Sequence, residues 1–263
     1  MPVVTNSRVT IFDRVVVAMD GSPGSLEAAI QADALRSGLG IIELIGVVQA
    51  SSIAYSAYGA PLIVAEAERT FANRFDQGRS VNPAATAELL HGPVVPRLLE
   101  RLEDSHATLV AVGASDHSRP VGLARGSVPT EMLHRAPCSV LVARRPRVAG
   151  SPLGSVVVGY DGSSGARDAL AAGRDLASRL DTTLRVVLAD DAAAITSEEL
   201  EGLALDRDER SAVDALSEAS HDADLLVVGS RGLRGLKAIG SVSERLGHRS
   251  SCSVLVVRDA PGR

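Results

Sequence analysis

The chain has 263 residues, 45% of them hydrophobic, a net charge of -5, and only three Tyr, three Phe and no Trp. Nucleic-acid binding is disfavoured, because it usually requires a basic face or aromatic side chains that stack on bases. No apolar run reaches the roughly 18–20 residues of a membrane span, and the N-terminus lacks a secretory signal pattern. We therefore expect a soluble cytoplasmic protein with no membrane or nucleic-acid partner.

The predicted elements alternate between strands and helices along the chain. In the first half, strand patterns lie at 15–18, 41–48, 85–90, 108–113 and 139–143, and helix patterns at 26–35, 65–75 and 95–105. Short continuous apolar runs are typical of strands buried on both faces of a parallel sheet. The alternation predicts an α/β fold with a doubly wound parallel sheet and helices on both faces.

The second half repeats the first. Three blocks recur in the same order: 15–37 matches 156–178, 107–115 matches 223–231, and 126–142 matches 240–256. The offset falls from 141 to 116 to 114, so the second repeat lacks 25 residues between its first two blocks and two more in the next loop. Residues 144–155, rich in Pro, Gly and Arg, read as a linker. We predict two domains, 1–149 and 150–263.

The missing residues fall where the first repeat has its second helix. In the second repeat only about ten residues separate the strand pattern TLRVVLA from the next candidate strand, LEGLALD. A crossover containing a helix needs at least about ten to twelve residues. We therefore expect the second domain to be trimmed on one side.

The two cysteines begin equivalent strands. Cys138 lies in PCSVLVA and Cys252 in SCSVLVV. Two thiols at the heads of apolar strands do not form a disulfide framework of the kind that stabilises small secreted proteins. We expect both to be reduced and buried.

Two loops at strand ends carry residues suited to a ligand. The first strand ends at Asp20 or Asp161, each followed by Gly-Ser, and the fourth ends in a glycine-rich stretch, 113–127 or 229–241. In open parallel sheets, ligands bind beyond the carboxyl ends of the strands where the strand order reverses. If strands one and four are neighbours there, a carboxylate and an amide-rich loop face one crevice.

These residues fit a nucleotide, but they also fit ordinary turns. Glycines let backbone amides approach phosphates, and a helix N-terminus favours an anion. Ser127 and Ser241 can cap the next helix or donate to phosphate, and Asp20 and Asp161 can accept from a ribose hydroxyl or an exocyclic amine. However, glycines after a strand are often turn residues, and Asp-Gly-Ser is a common turn and cap sequence.

Several motifs in order resemble those of the universal stress protein family in its tandem form. They are VVVGYDGS at 156–163, VVGSRG at 227–232, GSVSE at 240–244 and CSVLVV at 252–257. The resemblance covers nearly the whole chain. It implies two five-stranded domains similar to the adenine nucleotide alpha hydrolases, with strand order 3-2-1-4-5. It also implies that they pack about a pseudo-two-fold axis through their fifth strands, around 139–143 and 253–257.

Family members that bind ATP carry Gly, two residues, Gly, nine residues, then Gly and Ser or Thr. The second repeat has every glycine but only seven residues in the longer gap, whereas the first repeat keeps the spacing and has Asp116 at the second glycine. The resemblance implies these nucleotide-binding residues in the second repeat: Asp161, Leu188, Gly229, Arg231, Gly232, Gly240, Ser241 and Val242. In the first repeat it implies Asp20, Val48, Gly113, Gly126, Ser127 and Val128. Val48 and Leu188 would contact adenine through their backbone.

The departures from the motif favour the second repeat as the ATP site. Asp116 brings a like charge towards phosphates, and two unit charges 5 Å apart repel by roughly 0.8 kcal/mol in water. Arg119 and Arg125 could offset this repulsion, and a bound Mg²⁺ could reverse it. In the second repeat Arg231, Arg234 and Lys237 add positive charge, although they could equally form a solvated face.

Three functions remain. The first is a stress-response regulator that binds ATP, with Mg²⁺ as a candidate companion ion. The second is a nucleotide-free interaction module of the universal stress type, and the third is a weak ATPase. The chain has no P-loop, G-x-S-x-G or H-x-x-x-H motif and no positioned base, so we do not predict an enzyme. A homodimer of tandem units and an unknown protein partner are expected assemblies.

Overall fold

The computed structural model of the chain describes residues 12–49, 60–114, 127–144, 153–189, 192, 195, 198–230 and 242–258. The first repeat runs β1 (Arg14–Ala18), α1 (Pro23–Leu35), β2 (Ile41–Val48), α2 (Ala60–Val81), β3 (Thr86–His91), α3 (Val94–Asp104), β4 (Leu109–Gly113), α4 (Val128–Arg135) and β5 (Ser139–Ala143). The α/β alternation predicted from the apolar runs is confirmed.

The second repeat follows the same order with one difference. It runs β6 (Ser155–Gly159), α5 (Ser164–Leu180), β7 (Thr183–Ala189), a 3₁₀ turn (Glu198–Leu200), β8 (Ala204–Asp208), α6 (Ala212–Ala219), β9 (Leu225–Gly229), α7 (Val242–Arg249) and β10 (Ser253–Val257). Among the described residues between β7 and β8, the 3₁₀ turn stands where the first repeat has the 22-residue helix α2. The expected trimming is confirmed.

The short turn still covers its side of the sheet. Leu200 is buried in the same hydrophobic cluster as Phe71 and Phe75 of α2. The hydroxyl of Tyr160, at the end of β6, donates to Glu199 Oε2 over 2.7 Å. One buried leucine and one partly buried hydrogen bond therefore replace part of the packing that a whole helix provides in the first repeat.

The ten strands of the described residues form one sheet, in the order β3-β2-β1-β4-β5-β10-β9-β6-β7-β8. Within each repeat the neighbouring strands are parallel and the order 3-2-1-4-5 is as predicted. The repeats meet where β5 and β10 pair antiparallel, with Leu141 opposite Leu255. The pairing of the fifth strands is thus confirmed, and it makes the two repeats halves of a single sheet.

Helices cover both faces of this sheet, as expected for a doubly wound fold. One hydrophobic cluster contains residues of α1, α2 and α5, and the other contains residues of α3, α4, α6 and α7. Successive strand residues alternate between the clusters, since Val15 and Val17 lie in one and Val16 in the other. Cys138 and Cys252 are free and buried in the second cluster, and burial raises the pKa of each thiol to about 12.

The β5–β10 interface is reinforced by reciprocal contacts of two arginines. Arg144, after β5, donates to the carbonyl oxygens of Gly247 (2.7 Å) and Cys252 (3.3 Å) in the second repeat. Arg258, after β10, donates to the carbonyl oxygens of Leu133 and Ala136 in the first repeat. Each arginine thus satisfies carbonyls at the end of the other repeat's last helix, where a positive charge is favourable.

Candidate functional site

Each repeat has one point at which the strand order reverses. β1 lies between β2 and β4, and β6 lies between β7 and β9. Strands one and four of each repeat are therefore neighbours, as the predicted site requires. We call the region beyond the carboxyl ends of β1 and β4 the first crevice, and the region beyond those of β6 and β9 the second crevice.

Each crevice is bordered by an Asp-Gly-Ser turn of the same geometry. Asp20 Oδ1 accepts a hydrogen bond from the Ser22 backbone N–H over 2.9 Å, and Asp161 Oδ1 accepts one from Ser163 over 3.1 Å. Gly21 has a φ of 78°, a backbone conformation that favours glycine. Both serines also cap the following helix through their side chains. These hydrogen bonds are the ones expected of an ordinary turn followed by a helix cap. Asp20 and Asp161 both remain exposed.

The charge of Asp20 is set by its neighbours. Although the residue is exposed, partial loss of hydration next to the protein would by itself raise the pKa of this carboxyl. Hydrogen bonds from Ser22 and Ser25, together with the positive charge of Arg74, outweigh this loss of hydration and lower the pKa from its ordinary value of 3.8. Asp20 is therefore ionised at neutral pH and acts only as a hydrogen-bond acceptor.

The first glycine of each glycine-rich stretch has a packing role. A Cβ on Gly113 would lie 2.6 Å from the carbonyl oxygen of Gly24, in the first turn of α1. A Cβ on Gly229 would lie 2.7 Å from the amide nitrogen of Ala166, in the first turn of α5. These glycines bring the end of the fourth strand against the helix that follows the first strand. This close approach explains why both positions are glycine, and no ligand is needed for the explanation.

The structure describes residues 113–114 and 127 of the first glycine-rich stretch and residues 229–230 of the second. Ser127 caps α4, because its Oγ accepts from the Thr130 backbone N–H and shares a 2.7 Å hydrogen bond with the Thr130 hydroxyl. Val128 and Val242 begin α4 and α7. The remaining predicted loop residues, Gly126, Arg231, Gly232, Gly240 and Ser241, lie outside the described residues. The phosphate-binding role of this loop stays a prediction.

The two residues expected to contact adenine do not occupy equivalent positions. Ala18 and Gly159, which the repeat alignment equates, pair with Ile45 and Val187 respectively. Leu188 is therefore the equivalent of Gly46, two residues before Val48. The Leu188 side chain is fully buried in the core, and the Val48 carbonyl oxygen accepts from the Gly92 backbone N–H over 3.0 Å. Val48 lies at the end of its strand, and Leu188 lies inside its own.

The structure adds a residue to each crevice that the repeat comparison missed. Arg74 of α2 lies against Gly21, where a Cβ would meet its Cγ at 2.7 Å, and its guanidinium lies 4.6 Å from the centroid of the Phe71 ring. In the second repeat the side chain of Ile195 lies beside Gly162 instead. Arg74 belongs to the block that the second repeat lacks, so no repeated motif marked it. The first crevice therefore has a cation where the second has an aliphatic group.

The described residues contain neither a candidate membrane span nor a candidate metal site. No helix there is long and apolar enough to cross a membrane. No group of three His, Cys, Asp or Glu side chains there could hold a metal ion.

Comparisons with known proteins agree on one family. The model of the universal stress protein family matches residues 11–144 and 209–258. A universal stress protein of Mycobacterium tuberculosis, found in two strains, is 28% identical over 220 residues, which cover 69% of this chain and 71% of that protein. The residues that the family model matches omit 145–208, a segment that includes the trimmed side of the second repeat.

Solved structures show the same fold at low identity. A universal stress protein from Archaeoglobus fulgidus superposes with a TM-score of 0.75 and 19% identity, covering 94% of this chain and 98% of that one. A functionally unknown protein from Pseudomonas aeruginosa gives a TM-score of 0.59 and 15% identity, covering 95% and 93%. In both cases the likeness extends over both repeats.

Proposed function

Because this chain belongs to the universal stress protein family, we propose that it is a stress-response regulatory protein that binds ATP or a related adenine nucleotide. One observation carries the proposal: at each strand-order reversal, strands one and four are neighbours, so an Asp-Gly-Ser turn and a glycine-rich stretch border the same crevice. The edge of a doubly wound sheet where such loops meet is where nucleotides bind. The same arrangement occurs in both repeats.

The second crevice is the proposed ATP site. Its loop keeps every glycine of the family's motif, and Arg231, Arg234 and Lys237 supply positive charge near the phosphates. Asp161 would accept from the ribose or the exocyclic amine, and the N-terminus of α7 would face a phosphate. The aliphatic side chain of Ile195 beside Gly162 suits contact with a purine ring. When Mg²⁺ accompanies ATP, it supplies charge neutralisation at the phosphates.

A nucleotide-free interaction module is a second candidate with specific support. Gly113 and Gly229 are required by packing against α1 and α5, so the first glycine of each stretch carries no information about a ligand. The Asp-Gly-Ser turns likewise satisfy their own hydrogen bonds. On this view the family fold is kept while the crevices are empty in the cell.

The experiment that separates the two candidates needs no added ligand. The protein is purified without nucleotide, denatured, and the released small molecules are identified by mass spectrometry. We expect an adenine nucleotide in an amount approaching one per chain. Absence of nucleotide, combined with no ATP binding by calorimetry at millimolar ATP, would favour the interaction module.

The proposed role is binding and not catalysis. A weak ATPase would reveal itself as ATP turnover above background that is lost in Asp161→Ala. A homodimer of tandem units is also part of the proposal, and it must use a surface other than β5 and β10, because these strands already pair within the chain.

A further inference from the structure

The helices that close the two crevices touch each other across the β5–β10 interface. α4 begins at the first crevice and α7 at the second, and the two helices are in contact. The repeat alignment makes Thr130 equivalent to Glu244 and His134 equivalent to His248, both at an offset of 114. Thr130 and Glu244 thus lie in the first turns of α4 and α7, and the two histidines lie in their last turns.

In the first repeat a chain of hydroxyl groups leads to a histidine of the second. Ser127 Oγ lies 2.7 Å from Thr130 Oγ1, and Thr130 Oγ1 lies 3.2 Å from His248 Nε2. If the ring donates to Thr130 and Thr130 donates to Ser127, the Ser127 hydroxyl proton is left to point towards a phosphate. His248 can therefore set the direction of the hydrogen bonds at the start of α4.

In the second repeat the pseudo-symmetric contact joins a histidine ring of the first repeat to a carboxylate of the second. His134 Nε2 lies 3.1 Å from Glu244 Oε1, and their side chains are only 13% and 16% exposed. The two atoms are at ion-pair distance, but they are not aligned as a hydrogen bond: Nε2 is buried without a hydrogen-bond partner among the described residues. The contact places the Glu244 carboxylate against a side chain of the first repeat.

The position of this carboxylate matters to an anion at the same helix end. Ser241 and Glu244 have the spacing of a capping box, in which the glutamate reaches back to the serine amide. A carboxylate on that amide competes with a phosphate for the same donors. A contact that draws Glu244 towards the β5–β10 interface favours the phosphate in this competition.

We propose that each repeat supplies a histidine that positions the first turn of the helix closing the other repeat's crevice. His248 acts on the first crevice through Thr130 and Ser127, and His134 acts on the second through Glu244. Both are positioning residues, since neither is placed to touch the nucleotide. The inference rests on the proposed nucleotide binding, and it makes each crevice dependent on a side chain from the other half of the chain.

The test measures nucleotide binding separately in each repeat of the full chain. Hydrogen–deuterium exchange with mass spectrometry is recorded over a titration with ATP and Mg²⁺, following peptides that cover 127–135 and 241–249. His134→Ala should weaken ATP-dependent protection of 241–249 about tenfold and leave 127–135 unchanged. His248→Ala should do the reverse. His248→Gln, which keeps an N–H donor for Thr130, should restore most of the affinity at the first helix, whereas His134→Gln should not restore it at the second, because the His134–Glu244 contact is not a hydrogen bond.

The matched control is His221→Ala, because His221 contacts Ser251 within its own repeat, at 2.9 Å from Nδ1 to Oγ. It should leave both titrations unchanged. Thermal unfolding without ATP shows whether an alanine variant has lost its fold. If it has, the glutamine variant at the same position is used to test the inference. If ATP protects only one of the two helices, only the variant of the histidine in the opposite repeat tests the inference.

The outcomes separate the inference from the function on which it rests. ATP-dependent protection that neither histidine variant alters, or that each alters only in its own repeat, would overturn the inference and leave nucleotide binding standing. Wild-type protein without ATP-dependent protection at either helix would overturn both.

Discussion

Gly229, the last residue of β9, lies directly against Gly165 in the first turn of α5, so closely that a Cβ on Gly229 would overlap the Gly165 backbone. The same relationship joins Gly113 to Gly24 in the first repeat. A glycine that looks like part of a phosphate loop therefore also sets the distance between the fourth strand and the first helix of its repeat.

The first prediction concerns the stability of this contact. Gly229→Ala should lower the free energy of unfolding by about 1–3 kcal/mol, because the methyl group must push two backbones apart. For a protein of this size, that corresponds to a fall in Tm of roughly 2–4 °C per kcal/mol in a thermal unfolding scan.

The matched control for this change is Gly38→Ala, because nothing lies within 4 Å of a Cβ at Gly38. It should leave Tm nearly unchanged. Equal effects of the two substitutions would contradict the packing role of Gly229.

The second prediction assigns the ATP site to one repeat. Gly232→Glu places a carboxylate in the loop proposed to hold phosphates and should weaken ATP binding at least about tenfold in isothermal titration calorimetry. Asp20→Ala, in the first crevice, should have little effect. The reverse pattern would move the site to the first repeat, and thermal unfolding checks that both variants remain folded.

The third prediction concerns the arginines at the interface of the repeats. Arg258 is buried, and Arg258→Ala leaves the carbonyl oxygens of Leu133 and Ala136 without this donor. We expect a loss of about 1–3 kcal/mol, measured by urea unfolding. The control is Arg79→Ala, which removes an exposed ion pair with Asp76 and should cost less than about 1 kcal/mol. Similar losses in both variants would argue against a structural role for Arg258.

The fourth prediction follows from the lowered pKa of Asp20. A carboxyl whose pKa is lower in the folded than in the unfolded state stabilises the fold above its unfolded value, and this stabilisation is lost as the pH falls through the folded value. Wild type should therefore be more stable than Asp20→Asn at pH 7. The difference should shrink as the pH falls below the ordinary value of 3.8.

Urea unfolding of both proteins at neutral and acidic pH measures this difference. Asparagine can still accept from Ser22, so the comparison isolates the charge. A difference that does not change with pH would show that the charge of Asp20 does not provide the stability.

Much of the architecture was predictable because duplication repeats the same apolar runs. The blocks at 15–37 and 156–178 fixed the first strand and helix of each repeat, and the missing 25 residues located the trimmed side. The family resemblance then supplied the strand order and the pairing of β5 with β10, which the structure shows.

The site was less predictable, for physical reasons. Sequence spacing does not determine which residues pair across a sheet, so Leu188 was matched with Val48 although it is the equivalent of Gly46. A glycine in the sequence does not reveal what approaches it, as Gly113 shows. Arg74 comes from a helix present in only one repeat, so comparing the repeats could not bring it to the crevice.

The antiparallel pairing of β5 and β10 has a consequence for how the two halves can diverge. In a dimer of separate identical chains, a substitution appears on both sides of the axis, and dissociation depends on protein concentration. Here a short linker keeps the halves at a high effective concentration, so dilution does not part them. Each half also always meets the same unlike partner, which allows a neutral Thr130 on one side and an acidic Glu244 on the other.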